Sequence, residues 1–400
     1  MRLRTFESFW LIKNGLLYSY PSLQQNLDSE IIVIGGGITG ALISHALLDA
    51  GYEVTLLDKR DIGQGSTAAT TSVLQYEIDV PLYKLAEQIG APEAALCYTA
   101  GIKAIDRLGE LVNQEAIECG FEPKQSLYFA HNSKAARWLK EEYEVRSRYQ
   151  LGVEWLSAGA IDRRYGMSTH GGIRSAKAAS MDAYQFTHEL IQKNIARGLK
   201  VFDQTAIKKI SYAPAGVSLQ LEGDVMASCR RIVFCSGFET VSMFPEKTAN
   251  LFSTFACVSE TNTPMPEALR ELVAWNTEAP YLYLRSTDDG RLLVGGADSP
   301  FNSGTFRQRV KEKKTTQLIK KLNRTIPGVQ FIDDFSWAGC FGATRDGLPY
   351  IGRHEKYPGA FFVLGFGGNG ITFSVQGMEL ILKLLRNEPD PLLELYRFGR

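Results

Sequence analysis

The sequence predicts an α/β fold of two interleaved domains, and three stretches carry that prediction. Residues 30–59 (EIIVIGGGITGALISHALLDAGYEVTLLDK) run strand, glycine turn, helix, strand. Residues 361–386 repeat a strand, a glycine-rich turn and a helix near the other end of the chain. Between them, residues 252–295 read as strands joined by a tight Asp-Asp-Gly turn at 288–290, the mark of an antiparallel sheet.

In the first stretch, the β-branched apolar run 31–34 reads as a buried parallel strand. Gly35, Gly37 and Gly40 follow in the G-x-G-x-x-G spacing, and residues 41–50 have helical apolar spacing. A second strand, 54–57, ends at Asp58. Each part has a physical task. Gly35 permits a tight turn, Gly37 lets backbone approach a pyrophosphate, and Gly40 lets helix and strand pack closely. The helix start at Ile38 and Thr39 offers free N–H groups and a positive dipole end to phosphates. Asp58 can accept from a ribose hydroxyl, and Lys59 follows it. A glycine turn without a ligand would need none of these parts together.

Composition removes several classes. The 400 residues are 44% hydrophobic, with 44 basic and 44 acidic side chains. That is enough for a large core and two domains. The zero balance argues against a nucleic-acid partner or a membrane-surface role. No apolar run approaches the ~18 residues of a membrane span. Six cysteines, at 97, 119, 229, 235, 257 and 340, show neither C-x-x-C nor zinc spacing and read as reduced thiols of a cytoplasmic protein. The arm at 1–27 carries Phe6, Phe9, Trp10, Tyr18 and Tyr20, too aromatic for a disordered tail, and is expected to pack on the body.

Three further stretches carry a resemblance. Asp58 leads into the small-residue loop 59–70 (KRDIGQGSTAAT), holding Gly65, Ser66 and Thr67, where a bare NAD domain would continue into another βα unit. Residues 336–352 read SWAGCFGATRDGLPYIG, a W-A-G…T-x-D-G-x-P-x-I-G pattern. The strand at 361–364 then ends in Gly365-Phe366-Gly367-Gly368-Asn369-Gly370. Together, over essentially the whole chain, these resemble the glycine oxidase/D-amino-acid oxidase superfamily of FAD-dependent oxidoreductases.

The resemblance implies a Rossmann-like, glutathione-reductase-type FAD domain from 28–80, 157–244 and 336–388. An antiparallel-sheet α+β substrate domain would come from 81–156 and 245–335, leaving 389–400 as a tail. FAD would be held non-covalently, because Cys340 sits one position off the register of the flavin-linking cysteine of some relatives. Ser236-Gly237 would make the second close approach to the dinucleotide, and Gly339 would lie at the flavin. Gly367, Gly368, Asn369, Gly370, Ile371 and Thr372 would bring a helix N-terminus to the flavin N1–C2=O edge, where reduced flavin is negative. The implied reaction takes hydride from an amine or amino-acid carbon to flavin N5, giving an imine, with oxygen or a quinone as acceptor. Oxidation of a hydroxy acid or alcohol, and flavin binding without turnover, are the alternatives.

On the substrate side, Tyr76, Glu77 and Asp79 are pocket candidates; otherwise this segment is a surface turn with Asp79 as helix N-cap. Tyr281 and Tyr283 fall where relatives build a pocket wall. Relatives also carry an arginine after W-A-G that clamps the substrate carboxylate, and often a second in the glycine-rich turn. An ungapped reading puts Phe341 and Gly368 there. Arg285 and Arg345 are then the candidate replacements, or the substrate is not a simple α-amino acid. The charged helices at 133–151 and 307–322 read as solvated faces.

Overall fold

The apolar run at 31–34 forms an inner strand of a parallel sheet, buried on both faces as its residues require. The structure is a computed structural model describing residues 3–5, 8–213, 215–301 and 303–400. The chain begins with α1 (Phe9–Asn14), β1 (Leu27–Ile34), α2 (Ile38–Asp49), β2 (Val54–Leu57), β3 (Val73–Gln75), α3 (Leu82–Ile89) and α4 (Ala91–Gln114). Next come β4 (Glu122–Phe129), α5 (Ser133–Arg148), β5 (Val153–Leu156), α6 (Ala158–Tyr165), β6 (Gly172–Ser180), α7 (Ala183–Ala196) and β7 (Lys200–Phe202). They are followed by β8 (Ile207–Ala213), β9 (Gly216–Leu221), β10 (Met226–Phe234), β11 (Asn250–Ser259), α8 (Glu267–Arg270), β12 (Leu272–Asn276) and β13 (Leu282–Ser286). The last elements are β14 (Leu292–Ser299), α9 (Gly304–Thr325), β15 (Asp333–Ala343), β16 (Tyr350–Arg353), β17 (Ala360–Leu364), α10 (Gly370–Arg386) and α11 (Pro391–Leu395).

The first sheet has the order β16-β17-β10-β1-β2-β7, with β9 beside β10 and β8 beside β9. Strands β17, β10, β1, β2 and β7 are parallel, so their carboxyl ends meet at one edge. Helices α2, α7 and α10 pack together, burying Leu42, Leu47, Leu190 and Ile381 with Val33 and Leu56 of the sheet. The second sheet runs β15-β11-β14-β13-β12-β4-β6-β3, with β5 on β6, and is antiparallel except where β12 meets β4. Leu318 and Leu322 of α9 close its other side.

Strand pairing differs from the sequence reading in places. Residues 157–180, grouped from sequence with the nucleotide domain, end in β6, which pairs with β3, β4 and β5 of the second sheet. Strand β15, read the same way, pairs with β11. Small residues in GIRSAKAAS leave little apolar periodicity to reveal such a strand. The strand expected at 127–129 starts at Glu122 and takes Pro123 in opposite Ala179.

The N-terminal arm packs on the body. Phe9 and Trp10 are buried, and Phe9 stacks on Trp337 at 6.0 Å. Leu3 and Thr5 add backbone bonds to β15 through Cys340 N–H and Ala338 C=O. Phe6, an expected contact, lies outside the described residues.

A Cβ at Gly40 would lie 1.9 Å from the Gly35 carbonyl oxygen, with backbone on both sides. Gly40→Ala should therefore destabilise the protein by about 1–3 kcal/mol. An unchanged thermal melt would show that α2 does not need this close seat.

Candidate functional site

A cavity of about 880 Å³ lies between the carboxyl edge of the first sheet and the second sheet. Gly35, Gly37, Ile38 and Thr39 line it after β1, Asp58 and Lys59 after β2, and Ser236 and Gly237 after β10. Gly65, Ser66 and Thr67 line it from the loop, and Gly367, Gly368, Gly370 and Ile371 from the start of α10. The second sheet contributes Tyr128, Trp275, Tyr283, Gly339 and Phe341, with Tyr281 just before β13.

The near end is a cradle of backbone. Gly35 has φ 110° and donates its N–H to Leu57 O at 2.8 Å. A Cβ at Gly37 would come within 2.9 Å of Thr67 Oγ1. That hydroxyl accepts from Ile38 N at 3.0 Å, tying the loop to the first turn of α2. The space that side chains would fill stays open beside a helix N-terminus, where an anion is favoured. Asp58 accepts from Gly36 N at 2.7 Å and Arg60 N at 2.8 Å, one bond to each oxygen. Burial pushes its carboxyl up and these bonds resist. Each oxygen keeps capacity for a hydroxyl. Glu239 spans to Lys59 at 3.0 Å and Arg60 at 3.1 Å, and against burial these cations hold its carboxyl below the usual range. Ser236 shares a hydroxyl bond of 2.8 Å with Thr240.

At the far end, Gly367 N donates to Gly342 O at 2.6 Å and Gly368 N to Asp79 Oδ2 at 2.9 Å. Asn369 and Thr372, expected at the cofactor, do not line the cavity. Asn369 Nδ2 donates to Gln75 O at 2.9 Å, and the Thr372 hydroxyl to Asn369 O at 2.9 Å. Gly40 likewise serves packing.

The substrate candidates divide. Gln75, Glu77 and Asp79 reach the cavity, whereas Tyr76 points into the core and meets Tyr98 edge-on at 6.0 Å. Asp79 is not the N-cap of α3. The first amides of that helix, Leu82 and Tyr83, donate instead to Glu142 at 2.9 Å each. Arg146 lies between Glu142 (2.7 Å) and Glu77 (3.2 Å), and Ser126 donates to Glu77 at 2.9 Å. Burial pushes the Glu77 carboxyl up, and Arg146 opposes it.

Neither replacement arginine reaches the cavity. Arg285 is buried and donates to the carbonyls of Thr71, Ser286 and Met181 at 2.7, 2.8 and 3.1 Å. Burial lowers its guanidinium to about 10 despite Asp182. Arg345 is exposed on the surface. Sequence reasoning missed Tyr128, Arg146, Trp275 and Glu278, all of which line the cavity. Tyr128 and Trp275 stack at 5.6 Å, a pairing of β4 with β12 that no local pattern signals.

A family model described as "FAD dependent oxidoreductase" (DAO) matches residues 30–381. Gamma-glutamylputrescine oxidoreductase of Escherichia coli (strain K12) is 23% identical, over 93% of this chain and 87% of its own. The putative Rieske 2Fe-2S iron-sulfur protein YhfW of Bacillus subtilis (strain 168) is 22% identical, over 98% of this chain and 75% of its own. The crystal structure of glycine oxidase from Bacillus cereus ATCC 14579 superposes with a TM-score of 0.74 at 18% identity, covering 93% of this chain and 99% of that one.

Gly37→Val should close the cradle against Thr67 and cut the dinucleotide bound per polypeptide by about tenfold or more. Full occupancy in that variant, measured by absorbance after purification, would sink the assignment.

Proposed function

Because the chain belongs to the family of FAD-dependent oxidoreductases, we propose that it oxidises the CH–NH group of an amine or amino-acid-like substrate to an imine. The observation that carries this reading is a single cavity joining a glycine-built dinucleotide cradle to an aromatic, acidic compartment. The names of two relatives, gamma-glutamylputrescine oxidoreductase and glycine oxidase, support substrates of this class.

FAD, when bound, supplies the hydride acceptor. Gly35, Gly37 and the first amides of α2 would hold its pyrophosphate, and Asp58 a ribose hydroxyl. Gly370 and Ile371 place the positive end of α10 on the same cavity, where it favours negative charge. Tyr281, Tyr283, Trp275 and Phe341 supply walls that orient a substrate and exclude water. We assign oxygen or a quinone as electron acceptor; reoxidation rates in air and with a soluble quinone tell them apart.

The compartment offers little to a carboxylate. A bidentate arginine is the usual strong partner. Phe341 and Gly368 stand where the resemblance expects one, Arg285 and Arg345 lie elsewhere, and Arg146 is engaged by two glutamates.

Glycine, sarcosine and small D-amino acids should therefore be slower substrates than larger amines, with kcat/KM below ~10⁴ M⁻¹s⁻¹. Steady-state kinetics at or above that value for glycine or D-alanine would show a carboxylate clamp that this reading omits. Anaerobic bleaching with amines, amino acids and hydroxy acids separates amine from alcohol oxidation. Cys340 lines the cavity from β15 but is off the linking register. Acid denaturation and filtration should release the yellow colour from the polypeptide, and retained colour would establish a covalent link.

A further inference from the structure

We propose that Asp79 receives the ammonium group of the substrate, so that the compartment selects carboxylate-free alkylammonium ions over amino-acid zwitterions. This rests on the reading of the cavity as an amine-oxidising site. Among the described residues, the cavity is lined by five carboxylates, and four are already engaged. Asp58 takes two backbone N–H groups, Glu239 pairs with Lys59 and Arg60, and Glu77 pairs with Arg146. Glu278 pairs with Lys321 at 3.0 Å.

Asp79 differs. It accepts only the Gly368 N–H, at 2.9 Å, and forms no ion pair among the described residues. The residue is exposed to the cavity. A carboxylate without a partner cation gains from an incoming ammonium.

Its surroundings suit that cation. Tyr281 and Tyr283 line the same cavity, their rings 5.7 Å apart. Tyr128 and Trp275, stacked at 5.6 Å, line it as well. Aromatic faces attract alkylammonium ions, and tyrosine and tryptophan do so best.

The bond to Gly368 fixes where the ammonium docks, beside the glycine turn that opens α10. One proton can then pass from the substrate nitrogen to the free oxygen of Asp79. An N–H bond breaks, an O–H bond forms, and a neutral amine is left whose lone pair is available for the imine. The Gly368 N–H occupies one oxygen of Asp79 and leaves the other to take that proton. An α-carboxylate brought to the same place would meet Asp79 and Glu77 with no cation to spare.

The test uses three isosteres that cannot be oxidised at the substituted carbon: tert-butylammonium, tert-butanol and pivalate. Each is titrated into the FAD-loaded protein, with the flavin absorbance as readout. The wild type should bind tert-butylammonium about tenfold or more tighter than tert-butanol and bind pivalate more weakly still. Asp79→Asn should erase the ammonium preference while keeping its FAD, since an amide oxygen can still accept from Gly368. Wild-type protein that binds pivalate as tightly as tert-butylammonium would overturn the proposal without any variant. An Asp79→Asn protein that keeps FAD and the full preference would also overturn it. Anaerobic flavin reduction by amines in the same protein would leave the amine-oxidising reading standing in either case. Failure of every amine and amino acid to reduce the flavin would instead remove that reading.

Discussion

The seat of α2 against β1 at Gly40 is the constraint on which the rest depends. With no side chain at Gly40, the helix begins directly over the end of its strand, and its N-terminal amides open onto the sheet edge. The ladder continues past the strands: Gly35 N–H reaches Leu57 O, and Cys235 N–H reaches Ile34 O, both at 2.8 Å. These bonds hold the turns after β1, β2 and β10 level with one another. A cleft at that edge follows from register.

The other wall is held by long side chains. The loop from Thr67 onward has little secondary structure, yet three successive carbonyls are each pinned from a different element. Trp337 donates to Ala69 O at 2.8 Å, Trp10 to Thr70 O at 2.6 Å and Arg285 to Thr71 O at 2.7 Å. The arm thus completes the cofactor loop. A second clamp is ionic: Glu142 caps α3, Arg146 joins it to Glu77, and Glu77 takes the Ser126 hydroxyl of β4. Buried ion pairs are weak evidence of stability, because desolvation offsets attraction. Their geometry does hold Glu77 on the cavity wall, two residues before Asp79.

How legible was this from sequence? The glycine spacing at 35–40, the acid closing β2 and the glycine turn at 365–370 were readable, because backbone geometry there demands particular residues. Contacts between the interleaved sheets were not. Arg146 sits on a charged helix whose composition looks solvated, and only the fold reveals that its face is buried. Arg285 and a substrate-clamping arginine are indistinguishable as letters. What separates them is whether backbone carbonyls or a cavity lie at the end of the side chain. Tyr76, Glu77 and Asp79 were read as one group, and the fold splits them, with Tyr76 in the core and the two acids on the cavity.

The two ends of the cavity handle charge by different means, and that difference bears on chemistry. At the glycine cradle, Lys59 and Arg60 are balanced by Glu239, which leaves neutral amides and a helix dipole facing the cavity. At the substrate end, Asp79 has a single backbone bond, supplied by the glycine turn just before α10. An ammonium docked there would sit against the Asp79 carboxylate, before the first turn of α10. Passing one proton to Asp79 would leave the neutral amine. The glycine turn thus connects the residue proposed to place the nitrogen with the start of α10.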